Sequence, residues 1–399
     1  MISELRKKFN NTFSDVAYLH FLEELKAPYP GALDIRIAET PLFVPARCKE
    51  QMLSVCEKIV DDICSPTFLQ QSSGAIPVDW HVPGAEANPH WLMFDFAICK
   101  DVEGAWIPQL IELQGFPTIY ALKVWHDEMI RRHFHIPDDF SCYLNGFNSS
   151  DYLALLQKMI MGDHKPESVI LLDIFPDRQG TRVDFYCFRN YMDIPVVCLT
   201  ELEREGRYLF YRRDGRRIRI ERIFNRVVFD EVQQYSPEVV AKGKVMLEEL
   251  DVEWITHPNW FYRISKHTLP FLKQHPFIPE ARFLSDLNQV PKNLEDYALK
   301  PLFSFAGQGI ILDPTPQDIL KIKDPQNWIL QRKVKYADAL LAPDGPVKAE
   351  VRIIYFWEEG TPRPKAVSNL VRLSKGQMIG LRFNKGNTWV GSSLAYFEP

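Results

Sequence analysis

Residues 297–312 read Tyr-Ala-Leu-Lys-Pro-Leu-Phe-Ser-Phe-Ala-Gly-Gln-Gly-Ile-Ile-Leu. A short apolar run ending at Lys300, a loop of small residues and a second apolar run predict a β-hairpin whose tip offers backbone amides and one fixed cation. That combination suits a polyphosphate, with Ser304, Gly307, Gln308 and Gly309 placed to approach it. The same residues also describe an ordinary hairpin whose glycines serve the turn, and from the loop alone the two readings weigh equally. The chain contains no G-x-x-x-x-G-K-[ST], and no G-x-G-x-x-G follows a strand. A nucleotide here would lie under a hairpin.

Further along the chain, other residues suit the same chemistry. The edge of 328–334, at Gln331, Arg332, Lys333 and Val334, can present backbone groups to an adenine. The strand 348–356 brings Glu350, suited to ribose hydroxyls or a metal, and Arg352. Arg372 and Lys375 then set two cations at a strand end, where they suit charge developing on a transferring phosphoryl group. Each strand alone has a plain reading as a sheet member with solvated alternate residues; the order of all four carries the signal. Upstream, 108–118 is an apolar strand whose end places Glu112 and Gln114 on one face. Asp95 on the neighbouring strand can face the same cleft. Arg226, ending the strand 222–229, is either a carboxylate clamp or part of a structural salt bridge.

This order resembles the ATP-grasp superfamily from about residue 254 to the C-terminus. The resemblance implies that Lys300 and Lys266 hold nucleotide phosphates, that 303–309 is the flexible loop, that Gln331 to Val334 form the adenine hinge, and that Glu350 and Arg352 close the site. In that superfamily a Glu-x-Asn pair usually holds Mg²⁺ on a strand after the arginine strand, but here the chain stops at Pro399 with no such pair. Glu112 and Gln114 supply the equivalent from far upstream, so the chain resembles the circularly permuted branch typified by eukaryotic-type glutathione synthetases. Two departures stand out. Gln114 replaces an asparagine, which moves the amide oxygen one methylene outward, and the loop 303–309 lacks the branch's acidic metal ligand. Asn384 or Asn387 is the substitute ligand to consider, against a plain turn role.

These residues need elements to position them. Helical spacing covers 14–25, 48–63, 121–134, 151–163, 237–250 and a stretch near 265–275; strands are expected at 91–98, 107–113, 328–333, 349–357, 366–373 and 380–383. The order strand 169–174, helix 181–192, strand 196–200 is a βαβ unit and predicts a parallel sheet. An Asp214-Gly215 turn joins 208–211 to 217–220. The fold class expected is α/β mixed with α+β: an ATP-grasp fold with a Rossmann-like substrate domain, divided as 1–165, 166–253 and 254–399.

Composition sets the outer limits. The chain has 399 residues, 46% hydrophobic and 25% charged, with a formal net charge of -5. It is long enough for two or three domains, and its charge argues against nucleic-acid and membrane partners despite the arginine run 212–219. Seven cysteines without a C-x-x-C pair and the absence of an apolar leader point to a cytoplasmic protein. The ten histidines show no metal-binding spacing. The expected activity is ATP- and Mg²⁺-dependent ligation of a small-molecule carboxylate to an amine or thiol through an acyl phosphate. A small-molecule kinase and a non-enzymatic nucleotide binder are the alternatives.

Overall fold

The Trp91–Lys100 strand is buried along all but its last residue and lies inside a six-stranded sheet. It pairs antiparallel with Trp106–Gln114 on one side and Gly345–Phe356 on the other. Lys365–Ser374 and Gly391–Ser393 extend this central sheet outward, and Asp338–Ala342 pairs beside Gly345–Phe356. Residues from both ends of the chain therefore share one sheet. The expected boundaries 1–165 and 254–399 divide the sequence, but strands from both sides of them form this sheet. Its first hairpin closes on Asp101, whose carboxylate accepts from the backbone amides of Glu103 and Ala105, with Gly104 at φ 84°.

The structure is a computed structural model that describes residues 1–84, 88–304, 307–376, 378–380 and 384–399. Residues 381–383 of the strand expected at 380–383, and residues 305 and 306 of the hairpin loop, lie outside those described.

The central sheet is covered on both faces: Trp91 meets Phe356 on one face with rings 4.9 Å apart, Phe94 meets Tyr355 edge to face at 5.3 Å on the other, and all four are almost fully buried. Burial of each such side chain contributes about 1.5–3 kcal/mol, so packing on the two faces together holds the sheet. A second core lies around four parallel strands in the order Glu253–Ile255, Arg222–Asn225, Val169–Asp173, Val196–Cys198. The Arg182–Met192 helix makes the crossover between the last two, as the βαβ spacing predicts. Asp214 and Gly215 both take positive φ at the turn of the Tyr208–Arg213 and Arg216–Ile220 hairpin. A third sheet is antiparallel, in the order Ala281–Phe283, Trp328–Arg332, Tyr297–Pro301, Ile311–Leu312, and contains the lysine hairpin.

Three expectations are corrected. The helix near 265–275 is a 3₁₀ turn over Lys266–Phe271, because Pro270 removes a backbone donor inside it. The strand expected over 222–229 ends at Asn225, whose side chain takes the Val227 amide and turns the chain into a short helix at Phe229–Val232. Where no strand is expected, between 334 and 348, an Asp338–Ala342 strand forms; Pro343-Asp344-Gly345 marks its turn.

Candidate functional site

A cleft of about 700 Å³ opens between the central sheet and the hairpin sheet and continues to the C-terminal ends of the parallel strands. Lys300 stands on the inner face of Tyr297–Pro301 and is 7% exposed. Its ammonium donates to Gln331 Oε1 at 2.5 Å across the hairpin sheet and to Ile111 O at 3.5 Å across the cleft. Lys266 enters from the 3₁₀ turn and donates to Ser304 O at 3.1 Å and Ser304 Oγ at 3.4 Å, which ties it to the start of the hairpin loop. Phe303 anchors that loop by an edge-to-face contact with Tyr262 at 5.1 Å. Gly307 and Gly309 take φ 71° and 75°, so the glycines serve the loop's left-handed turns.

The opposite wall comes from the central sheet. A register irregularity between Asp95 and Phe96 bulges the facing strand at Ile111, which turns both the Ile111 carbonyl and the Glu112 side chain toward the cleft. The strand is held in place where it ends. Gly115 donates its amide to Ile264 O at 2.9 Å, and a Cβ there would lie 2.9 Å from Trp260 O. Glu112 Oε2 is 3.7 Å from the Lys266 ammonium, and Glu112 Oε1 accepts from Gln114 Nε2 at 2.9 Å. Burial by itself would raise the Glu112 carboxyl, but Lys266, Arg372, Lys300 and Arg352 pull it down to about 2. Lys300 moves the other way: burial lowers it to about 8, Glu112 opposes the fall and Lys266 adds to it.

Cross-strand register builds the charged row behind Glu112. Glu112 stands opposite Asp95, Asp95 opposite Arg352, and Glu350 opposite Arg372. Arg352 Nε and Nη2 donate to the two Asp95 oxygens at 2.6 Å each, and Arg372 Nη2 adds a bond to Asp95 at 2.5 Å. Arg372 also pairs with Glu350, whose other oxygen accepts from the Tyr336 hydroxyl at 2.9 Å. Burial raises the Glu350 carboxyl, with Arg372 opposing.

The sequence expectations divide accordingly. Lys266, Lys300, Ser304, Gly307, Glu112 and Gln114 come together in the cleft, as do Gln331 to Val334, Glu350, Arg352 and Arg372. Asp95 shares the cleft-facing side of the sheet with Glu112 and Arg352 but does not line the cleft: it is 1% exposed and both its oxygens are taken by arginines, so it positions Arg352 and Arg372. Lys375 lies off the cleft, paired with Asp344 at 2.5 Å. Gln308 and Gly309 lie off the lining as well. Asn384 is committed to its own loop, accepting from the Lys375 amide at 2.9 Å and donating to Gly380 O at 2.8 Å. Arg332 and Lys333 have already spent their backbone amides on Glu280 O and Asp296 O.

Sequence reasoning missed the acidic end. Asp173 ends the Val169–Asp173 strand of the parallel sheet, accepts from the Ile174 amide at 2.7 Å and from Gln179 at 3.3 Å, and lines the cleft with Glu231 and Arg226. Burial raises Asp173 to about 7, Arg226 opposing. The Asp at the C-terminal end of a parallel strand was the available signal, since crevices form there. Arg226 Nη1 donates to Pro117 O and Thr118 O at 2.9 and 3.0 Å.

No family model matches the sequence. No curated protein matches it either. Among solved structures, it is similar over 97% of its length to 98% of the apo form of a glutathione synthetase-like effector from Globodera pallida, at a TM-score of 0.53 and 10% identity. The fold is glutathione synthetase-like. In this chain both walls of the cleft contribute charged side chains. Among the described residues, no helix is long and apolar enough to cross a membrane.

The donor set fits a polyphosphate better than it fits Mg²⁺. Lys266 and Lys300 are buried cations, and Lys300 donates to two acceptors with its three N–H groups. Among the described residues no group of three His, Cys, Asp or Glu side chains is arranged to hold a metal. Glu350 and Asp95 are covered by arginines, and the 303–309 loop has no carboxylate.

Proposed function

We propose that this protein is an ATP-dependent ligase of the ATP-grasp type, joining a small-molecule carboxylate to an amine. The supporting observation is that Lys266 and Lys300 face Glu112 and Arg372 across one cleft whose far end reaches the C-terminal edge of a parallel sheet. In this reading the γ-phosphoryl group passes from ATP to a substrate carboxylate oxygen and ADP leaves. An amine then attacks the acyl carbon and displaces phosphate. Lys266 and Lys300 orient the polyphosphate, and Arg372, held by Asp95 and Glu350, stabilises charge on the transferring group. Arg226 and Asp173 contact the acceptor, and the adenine lies along Gln331 to Val334. The upstream position of the Glu112 strand agrees with a circular permutation. Six buried thiols agree with a reducing, cytoplasmic setting.

A non-enzymatic nucleotide binder is the second reading, favoured by the acid-free loop. Incubation with ATP and pools of carboxylates and amines separates the two. The ligase releases ADP only when a carboxylate is present, and Arg372→Met abolishes that release while ATP still binds. ATP binding without ADP formation under any pool selects the second reading, and a stable phosphorylated product without an amine selects a kinase.

A further inference from the structure

Resting on that nucleotide-binding reading, we propose that polyphosphate binding in this cleft needs no divalent cation, because the chain itself provides the positive charge and Glu112 serves as counter-ion to its lysines. Among the described residues the lining contains nine Lys and Arg side chains against five Asp and Glu. Two of the five acids, Asp173 and Glu231, belong to the far end near Arg226. Glu350 is held by Tyr336 and Arg372, and Asp313 by Lys333. Only Glu112 remains beside the two phosphate-facing lysines.

The surroundings of Glu112 are those of a carboxylate already neutralised. One oxygen accepts the Gln114 amide and the other faces the Lys266 ammonium. A divalent cation on Glu112 would sit against Lys266, with Lys300, Arg352 and Arg372 also near enough to act on the same carboxylate. Mg²⁺ sheds its waters reluctantly and asks for an octahedron of oxygens, so one carboxylate under a lysine is a poor seat for it. Ammonium groups have no such geometric demand and form short, charge-assisted bonds to phosphate. When a polyphosphate enters, Lys266 exchanges its Ser304 hydrogen bonds for phosphate oxygens, and Glu112 stays as the counter-ion that keeps the two lysines from repelling each other.

The test is a calorimetric titration of the full chain with ATP and with inorganic triphosphate, each in excess EDTA and in excess Mg²⁺. The affinities in the two media are expected to agree within about threefold, and Glu112→Gln is expected to bind equally or more tightly in both. A loss of about thirtyfold or more in EDTA, or a Glu112→Gln variant that weakens only in Mg²⁺, overturns the proposal and leaves the nucleotide reading standing. Absence of binding in both media removes the nucleotide reading, and this inference with it.

Discussion

The two ends of the cleft meet the same problem with opposite charges. At the hairpin end, burial lowers the Lys300 ammonium to about 8; at the parallel-sheet end, burial raises the Asp173 carboxyl to about 7. Each wall disfavours the charged form of its own residue, because moving charge out of water is costly. What differs is the company. Lys300 has Glu112 across the cleft and a second lysine beside it, so the hairpin end keeps an excess of positive charge ready for an anion. Asp173 has one arginine and a further acid, Glu231, and Arg226 spends two hydrogen bonds on backbone carbonyls. The hairpin end gathers positive charge, whereas the other end sets two buried acids beside a single arginine.

The largest effect is expected at the one buried carboxylate that two of the cleft's arginines share. Asp95→Ala leaves Arg352 and Arg372 without their shared carboxylate and should destabilise the fold by roughly 3–5 kcal/mol, read from denaturant unfolding. A loss under about 1 kcal/mol would break the claim that Asp95 organises the site. Next, Lys300→Met should weaken ATP binding by roughly one to two powers of ten with little loss of fold stability, since the buried ammonium is itself costly.

Proton dependence sharpens the contrast. ATP affinity should decline as pH rises through about 8, where free Lys300 loses its charge. Asp173 is raised in the folded state, so between its unfolded value and about 7 the folded chain binds more protons and stability falls with rising pH. Asp173→Asn should flatten that fall, adding about 1–2 kcal/mol above pH 7 in unfolding titrations. Glu112 has the opposite sign: its contribution is complete above the unfolded carboxylate value and is lost as pH drops toward 2. The smallest effect is expected at Lys375→Ala, which removes a pair with a partly exposed Asp344 and should change ATP affinity by less than about twofold.

How far these features were legible in the sequence depended on whether the signal was local. The lysine hairpin announced itself, because an apolar run, a lysine and two glycines fall within sixteen consecutive residues, 297–312. So did the βαβ unit, whose periods change from strand to helix and back. The role of Asp95 was hidden, since it follows from a register across four strands that the sequence does not write down. Lys375 was misplaced for the same reason: at a strand end one residue decides the face, and its neighbour Ser374 turns to bond Asn384. The Asp338–Ala342 strand was concealed by its own short length, although Pro-Asp-Gly was a readable turn. Asp173 was readable only once the parallel sheet was accepted as a place where ligands gather.

The most direct measurement is a calorimetric titration of ATP into the wild-type chain and Lys300→Met at pH 7. Saturable one-to-one binding by the wild type, weakened at least about tenfold in the variant, is the predicted result. Equal binding by both proteins, or none by the wild type, would contradict a cleft organised around Lys300.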